Sequence, residues 1–320
     1  MATIEIIGAE SLGVRSLCCL VTTATRCILI DPGIALGDWR DGLLPHPLQI
    51  GVGRTIRGRI RRAFNEATDV VISHFHGDHI PLMDANPYQL SMRDLPSRCR
   101  NLRCWSKSAE DLTPRMRERR GDLVTLFGDG LRVAEGRADG PLAFSQAVPH
   151  GTPKGALGSV MMTRVSSGAQ VFVHASDIQL LDDTTVDRIL DWRPTIVLAA
   201  GPPLYLGRLS AAERACARRN ALRLAEHVRV VILDHHLMRG SSGTDWLRAL
   251  SEASGRRLYC AADVMGRPRR LLESERKQLY EAMPVPAGWH ARYARGETRI
   301  EAYFEALGTP GQRTEAGLGC

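Results

Sequence analysis

The chain has 320 residues, a formal charge of +7, 44% hydrophobic and 24% charged residues, and at roughly 100–200 residues per domain it makes two domains or one large one. Hydrophobic content near the globular average excludes a disordered or fibrous chain. No apolar run approaches the roughly 18 residues of a membrane span, which excludes an integral membrane protein.

Of the 42 basic residues only Lys107, Lys154 and Lys277 are lysines, a bias that reads as codon usage rather than as selection for a polyanion. The arginine clusters at residues 54–62 and 115–120 read as solvated helix faces. Aromatic residues are 5% of the chain, which leaves few rings for stacking bases and argues against nucleic acid as a partner. The opening residues MATIEIIGAESLG lack the basic region and apolar core of a secretory signal. Eight cysteines without a C-x-x-C pair then read as reduced, mostly buried thiols, and a cytoplasmic location is expected.

In chain order, strands are expected at residues 3–7, 17–22 and 27–30, the last closing on the turn Asp31-Pro32-Gly33. A helix over 55–67 feeds the apolar strand 69–73, whose continuous run predicts burial on both faces. Residues 171–175 form a second such strand. A helix over 182–191 precedes a strand at 195–200, and a helix over 210–226 opens on Ser210 and Glu213 at capping-box spacing. It leads into a strand at 228–233. A last helix is expected over 270–283, and the Gly/Thr-rich tail, residues 308–320, reads as mobile.

Two segments echo each other. Val70-Val71-Ile72-Ser73-His74 and Val230-Val231-Ile232-Leu233-Asp234-His235 both end a buried strand on histidine. This suggests one domain, residues 1–307, made of two similar halves of about 1–160 and 161–307, each delivering histidines to one cleft.

The decisive segment is Ser73-His74-Phe75-His76-Gly77-Asp78-His79, an H-x-H-x-D-H pattern at the exit of a buried strand. Neutral imidazoles and a carboxylate suit a borderline divalent ion such as zinc, with iron or manganese as alternatives. His74 and His76, two apart on extended backbone, point the same way and can chelate one ion. Asp78 and His79 follow in a turn and can face a second. Without metal, burying these groups would strand several polar atoms at about 1–3 kcal/mol each.

H-x-H-x-D-H after an apolar strand resembles the metallo-β-lactamase superfamily. The resemblance implies an α/β fold, a four-layer αβ/βα sandwich with two mixed β-sheets and a dinuclear site at their edge. It also carries roles onto further residues. Asp31 would brace the metal loop from behind, His150 would be the third ligand of the first ion, Asp177 would bridge both ions, and His235 would complete the second. His236 competes with His235 for that place. Ser11-Leu-Gly-Val-Arg-Ser16, Ile30-Asp-Pro-Gly-Ile-Ala-Leu-Gly37, Leu44-Pro-His-Pro47, Gly201-Pro-Pro-Leu-Tyr-Leu206 and Leu233-Asp-His-His-Leu237 look like the UPF0282 group, a set of predicted metallo-hydrolases found largely in archaea. The chain departs from that group at Gly77 and Ile80-Pro81, where a bulky residue and a further histidine are expected, and at Asp263, where glutamate is expected.

The chemistry so implied is hydrolysis. Two divalent cations, zinc first, would share a bridging water whose pKa falls from 15.7 toward about 7, and the resulting hydroxide would attack an ester, lactone, amide or phosphoester. Asp78 and Asp177 would lower the net charge and take up a proton as the intermediate collapses. A di-iron oxygenase or other redox enzyme is the alternative, and a nuclease ranks below it. The partner is expected to be a small, anionic molecule, with Arg15, Arg40, His46 and Tyr205 as candidate contacts; a homo-oligomer is compatible with the sequence. His174 reads as a packed core histidine, and His227 and His290 as surface residues.

Overall fold

The computed structural model describes residues 1–305 apart from Lys154, so the tail from Gly308 lies outside the described residues. Two six-stranded sheets are laid down in turn. The first contains β1 (Thr3–Ile6), β2 (Cys19–Thr22), β3 (Cys27–Ile30), β4 (Asp69–Ile72), β5 (Arg103–Ser106) and β6 (Leu131–Val133), in that spatial order. The pairs β1–β2 and β2–β3 are antiparallel, and β3 to β6 run parallel. The second sheet contains β7 (Ala138–Asp139) and β8 (Leu142–Phe144). It continues, beyond the small hairpin β9 (Val148–Pro149) and β10 (Ser159–Val160), with β11 (Thr163–Ser167), β12 (Gln170–His174), β13 (Ile196–Ala199) and β14 (Val230–Leu233). It too begins antiparallel and ends parallel, in the order β14-β13-β12-β11-β8-β7.

The parallel strands β4, β13 and β14 are continuous apolar runs of the sequence. Val70, Val71, Ile72, Val197, Leu198, Ala199, Ile232 and Leu233 are all buried, because each of these strands is covered on both faces, by the facing sheet and by helices. On the outside of the first sheet lie α1 (Pro47–Glu66), packed on β3, and α2 (Pro114–Phe127), packed on β6. Outside the second, α3 (Asp183–Asp191), α4 (Ala211–His227) and α5 (Ser242–Ser254) lie side by side, α4 against β14. This is the four-layer α/β architecture with mixed sheets. The sheets also meet through specific bonds: His174 Nε2 contacts Leu17 O at 2.8 Å, and the rings of Trp105 and Phe144 lie 5.6 Å apart. Short helices α6 (Ala261–Val264), α7 (Arg276–Ala282), α8 (Trp289–Ala294) and α9 (Glu301–Glu305) complete the described chain.

Local chemistry explains where the elements depart from the sequence reading. Helix α1 starts at Pro47 rather than near residue 55, because Pro47 sits at the first helical position and His46 Nδ1 accepts from Leu48 N at 3.2 Å. The expected helix over 270–283 is regular only from Arg276, since residues 272–275 turn so that Glu273 faces inward. The capping box at Ser210 and Glu213 forms on α4. The chain passes from the first sheet to the second between Val133 and Ala138, earlier than the joint that the histidine echo suggests. His290, expected at the surface, lies between two hydroxyls, Tyr88 Oη and Tyr280 Oη, each at 2.9 Å. No helix among the described residues is long and apolar enough to cross a membrane.

Candidate metal centre

Four strand ends deliver the candidate ligands. The loop after β4 carries His74, His76, Asp78 and His79, the β9–β10 hairpin carries His150, the turn after β12 carries Asp177, and the segment after β14 carries His235 and His236. Asp177 is the centre of the arrangement. Its Oδ2 lies 3.5 Å from His74 Nε2, 3.2 Å from His150 Nε2 and 3.3 Å from His236 Nε2. His76 joins this side, with Nδ1 3.0 Å from His74 Nε2. The other oxygen of Asp177, Oδ1, lies 3.0 Å from His79 Nε2 and 3.6 Å from His235 Nε2, and His235 Nε2 is 3.3 Å from Asp78 Oδ2. Two groups of donors therefore flank one carboxylate: His74, His76 and His150 with Asp177, and Asp78, His79 and His235 beside it. His236 sits with the first group, its Nε2 3.2 Å from His150 Nε2, whereas His235 faces the second.

The set could hold cations. His79 Nε2 and Asp177 Oδ1 are buried and only 3.0 Å apart, yet neither has a hydrogen-bond partner, a cost that a shared ion would offset. The donors are imidazole nitrogens and carboxylate oxygens, the choice of borderline divalent metals. Electrostatics agree at Asp177, Asp78, His76 and His235, whereas at His79 burial is outweighed by Asp177, Asp31 and Asp78, which hold the imidazole well above the usual histidine range. Burial pushes the Asp177 carboxyl up, but His79, His235, His236 and His150 outweigh it and hold it well below the usual carboxylate range. Asp78 is likewise raised by burial and brought well below that range by its bond to His235 and by His79. Burial lowers His235 to about 3, and burial together with His74 lowers His76 to about 3, so both rings are uncharged at neutral pH.

A layer of hydrogen bonds beneath the loop fixes these orientations. Asp31 and Ser176, at the exits of β3 and β12, both adopt left-handed backbone, with φ of 47° and 51°. Strain of this kind persists where surrounding bonds over-determine it. Asp31 accepts from Ser73 N at 2.8 Å, Ser73 Oγ at 2.6 Å, Ser176 Oγ at 2.9 Å and His79 Nδ1 at 3.1 Å. Gly33 lets the two loops touch: a Cβ there would lie 2.1 Å from Ile80 N and 2.3 Å from His79 C. On the other side Asp234 accepts from Ser11 N at 3.0 Å, Ser11 Oγ at 2.5 Å and Ala261 N at 2.8 Å, anchoring the residue before His235.

The substrate candidates fare differently. Arg15 closes its fork on Glu273, with both bonds at 2.5 Å, and Arg40 donates to the same carboxylate at 3.2 Å and to Arg239 O at 2.7 Å. These arginines, expected to grip an anionic group, are held by a buried acid of this chain. His46, expected as a substrate contact, is fully buried, capping α1 and contacting Met283 O at 2.9 Å through Nε2. Tyr205 is partly exposed, with Arg40 and Arg239 over its ring at 5.7 and 5.9 Å. Arg239 is the residue that the sequence reading missed. Its Nη2 lies 3.0 Å from His235 Nε2, its Nη1 donates to Tyr205 Oη at 3.3 Å, and its Nε is 3.5 Å from Glu10 Oε2. The signal was its position four residues after His235, one helical turn away.

Comparison with known proteins places the chain. No family model matches. It is 46% identical over 301 residues to a UPF0282 protein of Methanosarcina mazei, covering 94% of this chain and 99% of the relative. A UPF0282 protein of Methanopyrus kandleri is 34% identical, covering 85% and 97%. Among solved structures, the metallo-β-lactamase fold protein YhfI of Bacillus subtilis aligns with a TM-score of 0.50 at 12% identity, over 81% of this chain and 96% of that one. The chain belongs to the UPF0282 family, on the metallo-β-lactamase fold.

Proposed function

We propose that the chain is a metal-dependent hydrolase that cleaves a small ester, lactone, amide or phosphoester with water at a two-cation cluster. One observation carries this reading: the two oxygens of Asp177 face two separate groups of donors. His74, His76, His150 and Asp177 Oδ2 would hold one ion; Asp78, His79, His235 and Asp177 Oδ1 would hold the other. The nitrogen and oxygen donors favour zinc, with iron or manganese next. When bound, such ions acidify a shared water toward about pH 7 and polarise the substrate's carbonyl or phosphoryl oxygen.

The protein's own groups do the rest. The depressed pKa values of Asp78 and Asp177 keep both carboxylates ionised at neutral pH, offsetting cationic charge in the site. Asp78 keeps 19% of its side chain exposed, and we assign it the transfer of a proton from water to the leaving group. Arg239, against His235 and Tyr205, adds fixed positive charge where negative charge develops on the substrate.

The test is elemental analysis of freshly purified protein with a panel of phosphodiester, lactone and β-lactam substrates. The expected result is about two zinc ions per chain and turnover of at least one substrate, abolished by chelation and restored by zinc. Iron with an optical charge-transfer band and no hydrolysis would transfer the protein to redox chemistry.

A further inference from the structure

Gly77, in the middle of the candidate metal loop, has no positive φ that would call for glycine. Glycine costs backbone entropy, and here its bare Cα leaves room for two side-chain ends that a Cβ would crowd by a few tenths of an ångström. A Cβ at residue 77 would lie 3.1 Å from Arg119 Nη2 and 3.1 Å from Leu82 Cδ1. Arg119 reaches this point from α2, and its Nη1 donates to Phe75 O at 3.2 Å. The guanidinium therefore lies on the backbone of the segment that carries His74, His76, Asp78 and His79.

Most of that fork is unspent. Arg119 Nε is buried without a hydrogen-bond partner. The carboxylates that act on the group are Asp84, which pairs with Arg115 at 3.7 Å, Asp78, already bonded to His235, and Glu118 beside it in the chain, none of them hydrogen-bonded to Arg119. His74, Phe75 and His79 are buried whereas His76, Gly77 and Asp78 are partly exposed, so the cluster opens on the side where Arg119 sits.

We infer that Arg119, admitted by Gly77, is a specificity-determining residue that binds an oxyanion of the substrate, a carboxylate or phosphate group separate from the bond cleaved. A guanidinium with free N–H groups suits either oxyanion, and its planar fork makes the contact directional. The inference rests on the hydrolase reading above, since it assigns the rim of that same site.

Calorimetric titration of zinc-loaded wild-type, R119M, R119K and G77Y proteins tests it, with glutarate, butyrate and 3-phosphonopropionate as probes. One acidic group of each probe occupies the cluster; glutarate and 3-phosphonopropionate carry a second for Arg119. Wild type should prefer glutarate or the phosphonate over butyrate by about tenfold or more. That preference should fall within about threefold in R119M and G77Y and be intermediate in R119K, which keeps charge but lacks the fork. The oxyanion that loses more in R119M names the class. Butyrate affinity and zinc content should be unchanged in R119M and R119K. Equal binding of the probes by wild type, a preference that survives in R119M, or zinc lost from R119M overturns the inference. A wild-type preference that is lost in R119M, in a zinc-loaded protein that hydrolyses nothing, would instead overturn the hydrolase reading alone.

Discussion

Asp31 Oδ2 and His79 Nδ1 are 3.1 Å apart, and that contact decides which ring nitrogen is left for Asp177, whose Oδ1 is 3.0 Å from His79 Nε2. The ring is fixed from behind by a carboxylate that is itself held by Ser73 and Ser176. In D31N the charge and part of this network are lost, and zinc affinity should fall by roughly 10–100-fold. Competition with a chromogenic chelator measures it; unchanged affinity would show that the loop orients His79 unaided.

Asp177 should behave differently, because both groups of donors depend on it. In D177A, the protein should retain about one zinc or fewer in place of about two, with hydrolysis lost. Metal analysis after dialysis gives the count. A variant that still holds its full metal load would show that Asp177 does not join the two groups.

Glu10 provides a pH signature outside the cluster. Burial, then the neighbouring Glu273, pushes its carboxyl up to about 8 from 4.5, against the lowering pull of Arg239 and Arg15; Asp234 adds to the rise. Its stabilising contribution is therefore complete below pH 4.5 and is lost as pH climbs through about 8. Wild type and E10Q should be similarly stable at about pH 5, and E10Q the more stable at about pH 9. Urea denaturation at both values reads this directly, and a parallel pH dependence in the two proteins would contradict it.

Arg276 fastens the segment before α1. It is buried and donates to Leu36 O at 2.7 Å, Gly37 O at 3.0 Å, Asp38 O at 3.2 Å, Leu43 O at 2.9 Å and Gln49 Oε1 at 3.2 Å. R276M strands these acceptors and should cost about 3 kcal/mol, read as a lower urea midpoint with zinc content unchanged. A loss within experimental error would mean that water replaces the guanidinium.

The sequence by itself determined the parts whose physics is local. Apolar runs buried on both faces mark parallel strands, so β4, β13 and β14 are visible in it. H-x-H-x-D-H packs four metal-binding side chains into six residues, and spacing on one strand exit is enough to bring them together. The positions Asp31, His150 and Asp177 came from family resemblance, because nothing near them in the chain announces a partner, whereas the strand echo had also pointed to His235; in the structure all four reach the same cluster.

What only tertiary structure decided are the pairings between distant residues. Arg15 and Arg40 read as free cations until Glu273, more than 230 positions away, is seen to close on them. His46 resembled a loop contact until its burial and its bond to Met283 made it a cap and a tether. Arg239 gained meaning from the stacking of its turn on His235, and Gly77 from the arginine that fills its space. A side chain's free valence is consumed by whatever packs against it, and that neighbour is chosen by the fold, not by the residues alongside it in the chain.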